Sequence, residues 1–455
     1  MRQFAGLGVT QGVFDVRAGL TQSQLDAHWM PYTGNRQFKR DPRIVVSAEG
    51  NYYLSAEGRR IFDGLSGLWT CGAGHNRPEI AEAVSAQLRT LDYAPAFQFG
   101  HPKSFQLAER ITQFMPSGIN RIFFTGSGSE SADTSLKIAR AYWRKRGQGQ
   151  KTRLIGRSKG YHGVNFGGMS VGGIAPNRTL FGQAVEADHL PNTLLAENLF
   201  VRGMPTYGAH LAEGLEQLVA LHDASTIAAV IVEPMAGSAG VLPPPIGYLR
   251  RLREICDKHE ILLIFDEVIT AFGRVGAKTG AEAFGVIPDI LNMAKQLTNG
   301  AIPMGAVAVR QEIYDTFMEH GGPEYSLELP HGYTYSAHPV ACAAALATLD
   351  ILEQDNLIQE VNSLAPKFEA GLHSLKDCPF VTDIRNYGLA GAITLAAVPG
   401  EPLLRPFAVA MAMWAKGFYV RYGGDTVQLG LPFTTELGAI DSLINALADS
   451  LSELA

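Results

Sequence analysis

The chain has 455 residues, of which 46% are hydrophobic and 18% charged, with a formal net charge of -6. That length is more than one hydrophobic core serves, so two lobes are expected, and the composition excludes a disordered chain. The small, dispersed charge leaves no basic footprint for nucleic acid or an anionic membrane, and no apolar run is long enough to span a bilayer.

Short apolar stretches at 43–46, 52–54 and 60–62, separated by Glu49-Gly50-Asn51 and Glu57-Gly58, predict a small antiparallel meander. From Pro78 onward helical periods alternate with β-branched runs, the clearest strands being 121–124, Ile227–Val232 and 261–265. Such alternation predicts an α/β fold whose large domain holds a mostly parallel sheet flanked by helices. After about Pro330 the pattern changes to an α+β tail, with helices at 339–352 and 366–375 and strands near 382–385 and 427–429. No repeat and no Pro/Gly/Ser-rich linker divides the chain. A large domain over 66–330 is therefore expected, with 1–65 and 331–455 joining as a smaller one. Cys71, Cys256, Cys342 and Cys378 have neither metal-ligand nor disulfide-framework spacing, and the first residues show no secretory pattern. A cytoplasmic protein without a metal centre is the expectation.

In open α/β sheets ligands bind beyond the carboxyl ends of the strands, so polar residues that directly follow apolar runs are the candidate site. Three segments supply them. Thr125-Gly126-Ser127-Gly128-Ser129-Glu130 ends a strand and opens a helix with an apolar stripe of Ala132, Leu136, Ala139 and Trp143. Its glycines allow close backbone approach, Ser127 and Ser129 can cap, and the helix dipole favours a phosphate; alone, the turn reads sooner as an ordinary N-cap, since Gly/Ser turns before helices are common. Asp266-Glu267 closes the run 261–265, where a buried acid needs a cationic partner such as a protonated pyridine nitrogen. Glu233 repeats the arrangement after Ile227–Val232. Lys295 ends the run 288–294, and a desolvated amine there loses its charge and becomes a nucleophile toward an aldehyde. Taken singly it reads as a surface lysine; together with the two acids it does not. Gly160-Tyr161-His162-Gly163 adds an aromatic face for a flat ring, with His162 in a supporting place.

Phe265-Asp266-Glu267-Val268, Gly273-Arg274, Asp289 and Ala294-Lys295 stand in the order and separation of an extended signature. On these residues the chain resembles the class III aminotransferases, of the fold-type I pyridoxal phosphate enzymes, over nearly its whole length. The resemblance implies that Lys295 carries pyridoxal 5'-phosphate as a Schiff base and that Asp266 protonates its pyridine nitrogen. It further implies that Gly128 and Ser129 bind the phosphate, that Tyr161 and Val268 sit on opposite ring faces, and that Glu233 stands behind the ring. Thr334, within His331-Gly332-Tyr333-Thr334-Tyr335-Ser336, would reach a phosphate of a neighbouring subunit, which implies a homodimer with the site at the interface or a tetramer of two such pairs.

Within the family the runs 65–72, 94–101 and 418–425 look most like the omega-amino acid:pyruvate branch, in particular those acting on β-alanine. There Trp69 would shape the pocket, and Arg421 and Gln428 would hold a substrate carboxylate, for which a guanidinium fork is suited. The implied reaction moves an amino group from an amine or omega-amino acid to pyruvate, giving an aldehyde or ketone and alanine. An aminomutase, decarboxylase or racemase on the same scaffold is the alternative. A nicotinamide-dependent reductase is disfavoured because the 126–129 turn lacks the third glycine of a dinucleotide fingerprint. A module that merely stores the cofactor would need no lysine and carboxylate pocket together.

Overall fold

The computed structural model describes residues 19–454; the first eighteen residues of the expected 1–65 segment, and Ala455, lie outside the described part. Strands β1 (Val45–Glu49), β2 (Tyr52–Ser55) and β3 (Arg60–Asp63) form the expected antiparallel meander, with a register slip between Val45 and Ser47. The central sheet then takes β4 (Ile119–Thr125), β5 (Arg153–Arg157), β6 (Ala187–Leu190), β7 (Ile227–Val232), β8 (Leu262–Asp266), β9 (Ile290–Met293) and β10 (Gly305–Arg310). Their order in space is β4-β10-β9-β8-β7-β5-β6, and every pair is parallel except the two that β10 makes. All six residues of β7 are buried, as expected of a strand covered by helices on both faces.

β10 begins at Gly305, where any Cβ would collide with Thr125 Oγ1, the Ser127 carbonyl and Ser131 Oγ. Only glycine lets this strand close against the turn that follows β4. The helix Gly128–Lys145 buries the expected stripe of Ala132, Leu136, Ala139 and Trp143, and Trp143 Nε1 donates to the Ala228 carbonyl at 2.8 Å, fastening the helix to β7.

A third sheet holds β11 (Val381–Tyr387), β12 (Ala390–Leu395), β14 (Arg421–Gly423) and β15 (Thr426–Gly430), in the order β11-β12-β15-β14, while β13 (Phe418–Tyr419) pairs in parallel with β3. Late residues thus complete the sheet started by early ones. The expected helix at 366–375 is instead Leu357–His373, with Pro366 inside it rather than at its start. Its buried Leu357, Val361, Leu364, Phe368 and Leu372 recur at helical spacing, and packing of that stripe overrides the cost of one missing N–H. No described helix is long and apolar enough to cross a membrane.

Candidate active site

Three parallel strands end side by side and deliver the site. Val232 pairs with Phe265 and Asp266 with Asn292, so Glu233, Asp266 and Lys295 emerge along one edge of the sheet. β4 ends on the same edge and leads into the turn at Gly126–Gly128.

Asp266 is 6% exposed, and its Oδ2 lies 2.8 Å from Nδ1 of buried His162 while its Oδ1 accepts from the Val268 N–H at 3.2 Å. His162 Nε2 is buried with no hydrogen-bond partner. The histidine given only a supporting place from sequence is therefore the acid's direct neighbour. Glu233 keeps both oxygens occupied by backbone, accepting from the Tyr161 N–H at 2.9 Å and from the Gly237 N–H at 3.0 Å, and burial raises its pKa above the ordinary carboxyl value. It braces the Tyr161 loop. Arg157, which the sequence reading passed over, donates Nη2 to the Glu233 carbonyl at 3.0 Å; a charged residue closing the buried strand β5 was the available signal.

Glu267 turns away from this edge. It accepts from the N–H groups of Gly280 and Ala281 and from Thr270 Oγ1, so it caps a helix start, and burial pushes its pKa up to about 7.

Lys295 follows β9 in a left-handed conformation with φ 49°. Burial lowers its pKa to about 8, opposed by the charges of Asp266 and Glu233 and assisted by those of Arg421 and Arg274. Its amine therefore gives up its proton far more readily than an ordinary lysine.

At the helix start only Ser127 caps, its Oγ accepting from the Glu130 N–H at 3.2 Å. Ser129, also expected to cap, instead accepts from the Val164 N–H at 3.1 Å. Glu130 Oε2 takes the Gly126 N–H at 2.6 Å, and the N–H groups of Gly128 and Ser129, in the first turn, have no intrahelical acceptor. A Cβ on Gly128 would stand 3.0 Å from Val268 and 3.6 Å from Ala294, so the glycine keeps a cradle open beside Lys295.

Arg421 and Gln428 are Cα partners on β14 and β15. Gln428 Nε2 donates to the Ser238 carbonyl at 3.1 Å, leaving its buried Oε1 without a partner. The charge of Arg421 bears on both Lys295 and Tyr161, and among the described residues it forms no ion pair. Trp69 is 2% exposed, packed beside Leu65, Met235 and Ile269 with Arg274 over its ring. Thr334 stands exposed on a loop where its carbonyl accepts from Tyr93 Oη at 2.9 Å. No group of His, Cys, Asp or Glu among the described residues could hold a metal ion.

Residues 33–451 match the family model for aminotransferase class III. The chain belongs to the class III aminotransferases. It is 61% identical to a beta-alanine–pyruvate aminotransferase of Pseudomonas aeruginosa over 96% of this chain and 97% of that protein. It is 59% identical to an omega-amino acid–pyruvate aminotransferase of Pseudomonas putida, covering 95% and 97% of the two chains. Among solved structures it superposes with a TM-score of 0.86, at 36% identity, on the PLP-bound form of an amine transaminase from an uncultivated Pseudomonas species, over 94% of this chain and 99% of that one.

A class III aminotransferase depends on pyridoxal phosphate, and the residues present fit it. The readily deprotonated amine of Lys295, the buried acid Asp266 paired with His162, the orphaned His162 Nε2 and the cradle at Gly128 suit a phosphorylated, ring-bearing aldehyde.

Proposed function

We propose that this aminotransferase moves an amino group from β-alanine, or another omega-amino acid or amine, to pyruvate, releasing malonate semialdehyde or another aldehyde or ketone together with L-alanine. The observation that carries this reading is the register pair Arg421 and Gln428: a guanidinium without an ion partner beside a buried, unpartnered carbonyl oxygen, with its charge felt at Lys295. A substrate carboxylate answers the first and its amine or hydroxyl groups the second.

When bound, pyridoxal phosphate supplies an aldehyde that takes up the amino group and a ring that draws electrons from the carbon beside it. The chain supplies the rest. Nζ of Lys295, its pKa lowered by burial, would be the group that holds the aldehyde and that moves the proton of the donor carbon. Asp266 would keep the ring nitrogen protonated, and His162 holds the carboxylate in place. The Gly128 and Ser129 N–H groups would receive the phosphate, and Tyr161 and Val268 would enclose the ring. Glu233 positions the Tyr161 backbone. Trp69 bounds the donor side.

Thr334, exposed in one chain, serves the site of a second copy, so the working unit is a homodimer or a pair of dimers. Exposed Tyr93, Phe97, Phe99 and Tyr335 on neighbouring segments support that assembly. We assign 66–330 to the large cofactor domain and the flanking segments, joined through β3 and β13, to the smaller one. Four unpaired cysteines support a cytoplasmic place.

The test is a donor panel with pyruvate, read by chromatography of alanine. Stoichiometric alanine from β-alanine supports the proposal. Carbon dioxide release, or isomerisation without an acceptor, would instead identify a decarboxylase, aminomutase or racemase.

A further inference from the structure

Lys295 has a left-handed backbone, with φ 49°, and Asn299 and Gly300 in the same turn are left-handed too, at 50° and 71°. That conformation disfavours a lysine and persists only where the surroundings fix it. Part of the fixing is internal. The Leu297 N–H donates to the Ala294 carbonyl at 3.1 Å, the Asn299 N–H to the Gln296 carbonyl at 3.0 Å, and Thr298 Oγ1 to the Ile302 carbonyl at 2.7 Å. These bonds shape the turn but do not anchor it to the rest of the molecule.

Two side chains do. Gln296 and Asn299, 3% and 6% exposed, reach a loop 224 to 226 residues earlier in the chain. Gln296 Oε1 accepts from the Gly72 N–H at 2.7 Å, Asn299 Oδ1 accepts from the Ala73 N–H at 3.0 Å, and Asn299 Nδ2 donates to the Gly74 carbonyl at 2.7 Å. Gln296 Nε2 also donates to Asn299 Oδ1 at 3.3 Å, which joins the two amides into one clamp. The approach is close: a Cβ on Gly72 would collide with Gln296 Oε1 and the Phe433 ring, and one on Gly300 would stand 2.9 Å from Thr70 Oγ1.

The clamped loop runs on from Trp69. Its start is fixed by Asp63, which accepts from the N–H groups of Leu65, at 3.1 Å, and Gly67, and by Ser66 Oγ, which donates to the Gly430 carbonyl at 2.6 Å. The Gly72 carbonyl accepts from the Phe433 N–H at 2.7 Å, just past strand β15, which carries Gln428. One frame of buried hydrogen bonds therefore links the lysine turn, the Trp69 turn and the strand of Gln428.

We propose that Gln296 and Asn299 are positioning residues for Lys295, clamping the left-handed turn that carries the amine to the backbone of Gly72, Ala73 and Gly74 and so fixing where the amine stands relative to the substrate pocket. This rests on the carrier role proposed for Lys295. An amine held beside the carbon it attacks acts as if at very high concentration, and a small displacement forfeits much of that advantage.

Methylamine competition tests it. In the holoenzyme without pyruvate, methylamine competes with Nζ of Lys295 for the aldehyde carbon of the cofactor, borohydride fixes whichever amine holds that carbon, and mass spectrometry counts the adduct on residue 295. Gln296→Met nearly preserves volume and removes both polar atoms. The methylamine concentration that displaces half of the adduct should fall roughly 10-fold or more, and kcat by a similar factor. KM for pyruvate should stay within about twofold, because the carboxylate site proposed at Arg421 is untouched. Gln296→Glu keeps an acceptor toward the Gly72 N–H and should recover most of both losses. An unchanged methylamine midpoint in Gln296→Met, or equal losses in the Met and Glu variants, overturns the inference. Should Gln296→Met fail to fold, Asn299→Asp gives a second reading, since aspartate tolerates the left-handed conformation and keeps the Ala73 bond while losing the donor to Gly74. A midpoint lowered about 3-fold or more in that variant supports the clamp, and an unmoved one refutes it. A wild-type adduct found away from residue 295 would overturn the carrier role and the clamp together, whereas an adduct on residue 295 with an unmoved midpoint overturns the clamp alone.

Discussion

Arg421 and Gln428 face each other directly across the antiparallel pair of β14 and β15, placing at one point of the sheet a guanidinium without an ion partner and a carbonyl oxygen without a hydrogen-bond partner among the described residues. Charge-assisted hydrogen bonds are worth about 1.5–3 kcal/mol, so Arg421→Ala should raise KM for pyruvate and β-alanine roughly 10- to 100-fold. Turnover of an amine donor lacking a carboxylate should change far less in its own half-reaction. Steady-state kinetics with both donor types decides it: an unchanged KM for pyruvate removes Arg421 from the acceptor site.

Lys295 makes a separable prediction. Lys295→Ala should lose the visible absorbance of the covalent cofactor linkage and at least ~10²–10⁴-fold in turnover, the range for removal of a positioned acid or base. Borohydride trapping of the unmodified enzyme should place the adduct on residue 295. In the cofactor-free protein the amine is the reacting form and its pKa is lowered to about 8 by burial, so the rate of colour development on adding cofactor should climb as pH rises through about 8. A rise centred near the ordinary lysine value would show the amine to be solvated.

The pair His162 and Asp266 predicts two graded losses. Asp266→Asn removes the charge opposite the ring nitrogen and should lower kcat ~10²–10³-fold with cofactor still bound. His162→Gln retains a donor able to reach Asp266 Oδ2 and should cost less, on the order of 10-fold, whereas His162→Leu leaves the buried acid without it and should approach the Asp266→Asn effect. Equal activity of the Gln and Leu variants would mean that the 2.8 Å contact only fills space.

How much of this could be read from the chain depends on what each signal encodes. Lys295, Asp266 and Glu233 were legible because each directly follows an apolar run, and strand ends of a parallel sheet share one edge. The stripe of the 128–145 helix was legible because periodicity reports burial. By contrast, the pairing of His162 with Asp266 joins residues 104 apart in the chain, and no local pattern announces it. The antiparallel insertion of β10 escaped for the same reason, since a buried strand reads alike in either direction. Pro366 misled because a proline marks a helix start only where packing does not extend the helix past it. Asp266 and Glu267, adjacent and both acidic, read alike from the residues alone; the resemblance singled out Asp266, and the fold aims the two at different partners.

That divergence yields a last test. Glu267 accepts three hydrogen bonds, from the Gly280 and Ala281 N–H groups and Thr270 Oγ1, so Glu267→Ala strands buried donors at about 1–3 kcal/mol each. A stability loss of about 3 kcal/mol or more is expected, seen as a lower urea midpoint, with activity per folded molecule retained. The pH dependence has a definite sign. Burial raises the native carboxyl to about 7 from its ordinary 4.5, so between those values the folded state binds more protons than the unfolded one. The Glu267 contribution is therefore fully present below about 4.5 and declines as pH rises through about 7, and the gap between wild type and Glu267→Ala should narrow across that window. A gap that widens instead would mean that the three donors hold the carboxylate form strongly enough to outweigh burial. Loss of specific activity without loss of stability would move Glu267 from the helix start into the chemistry.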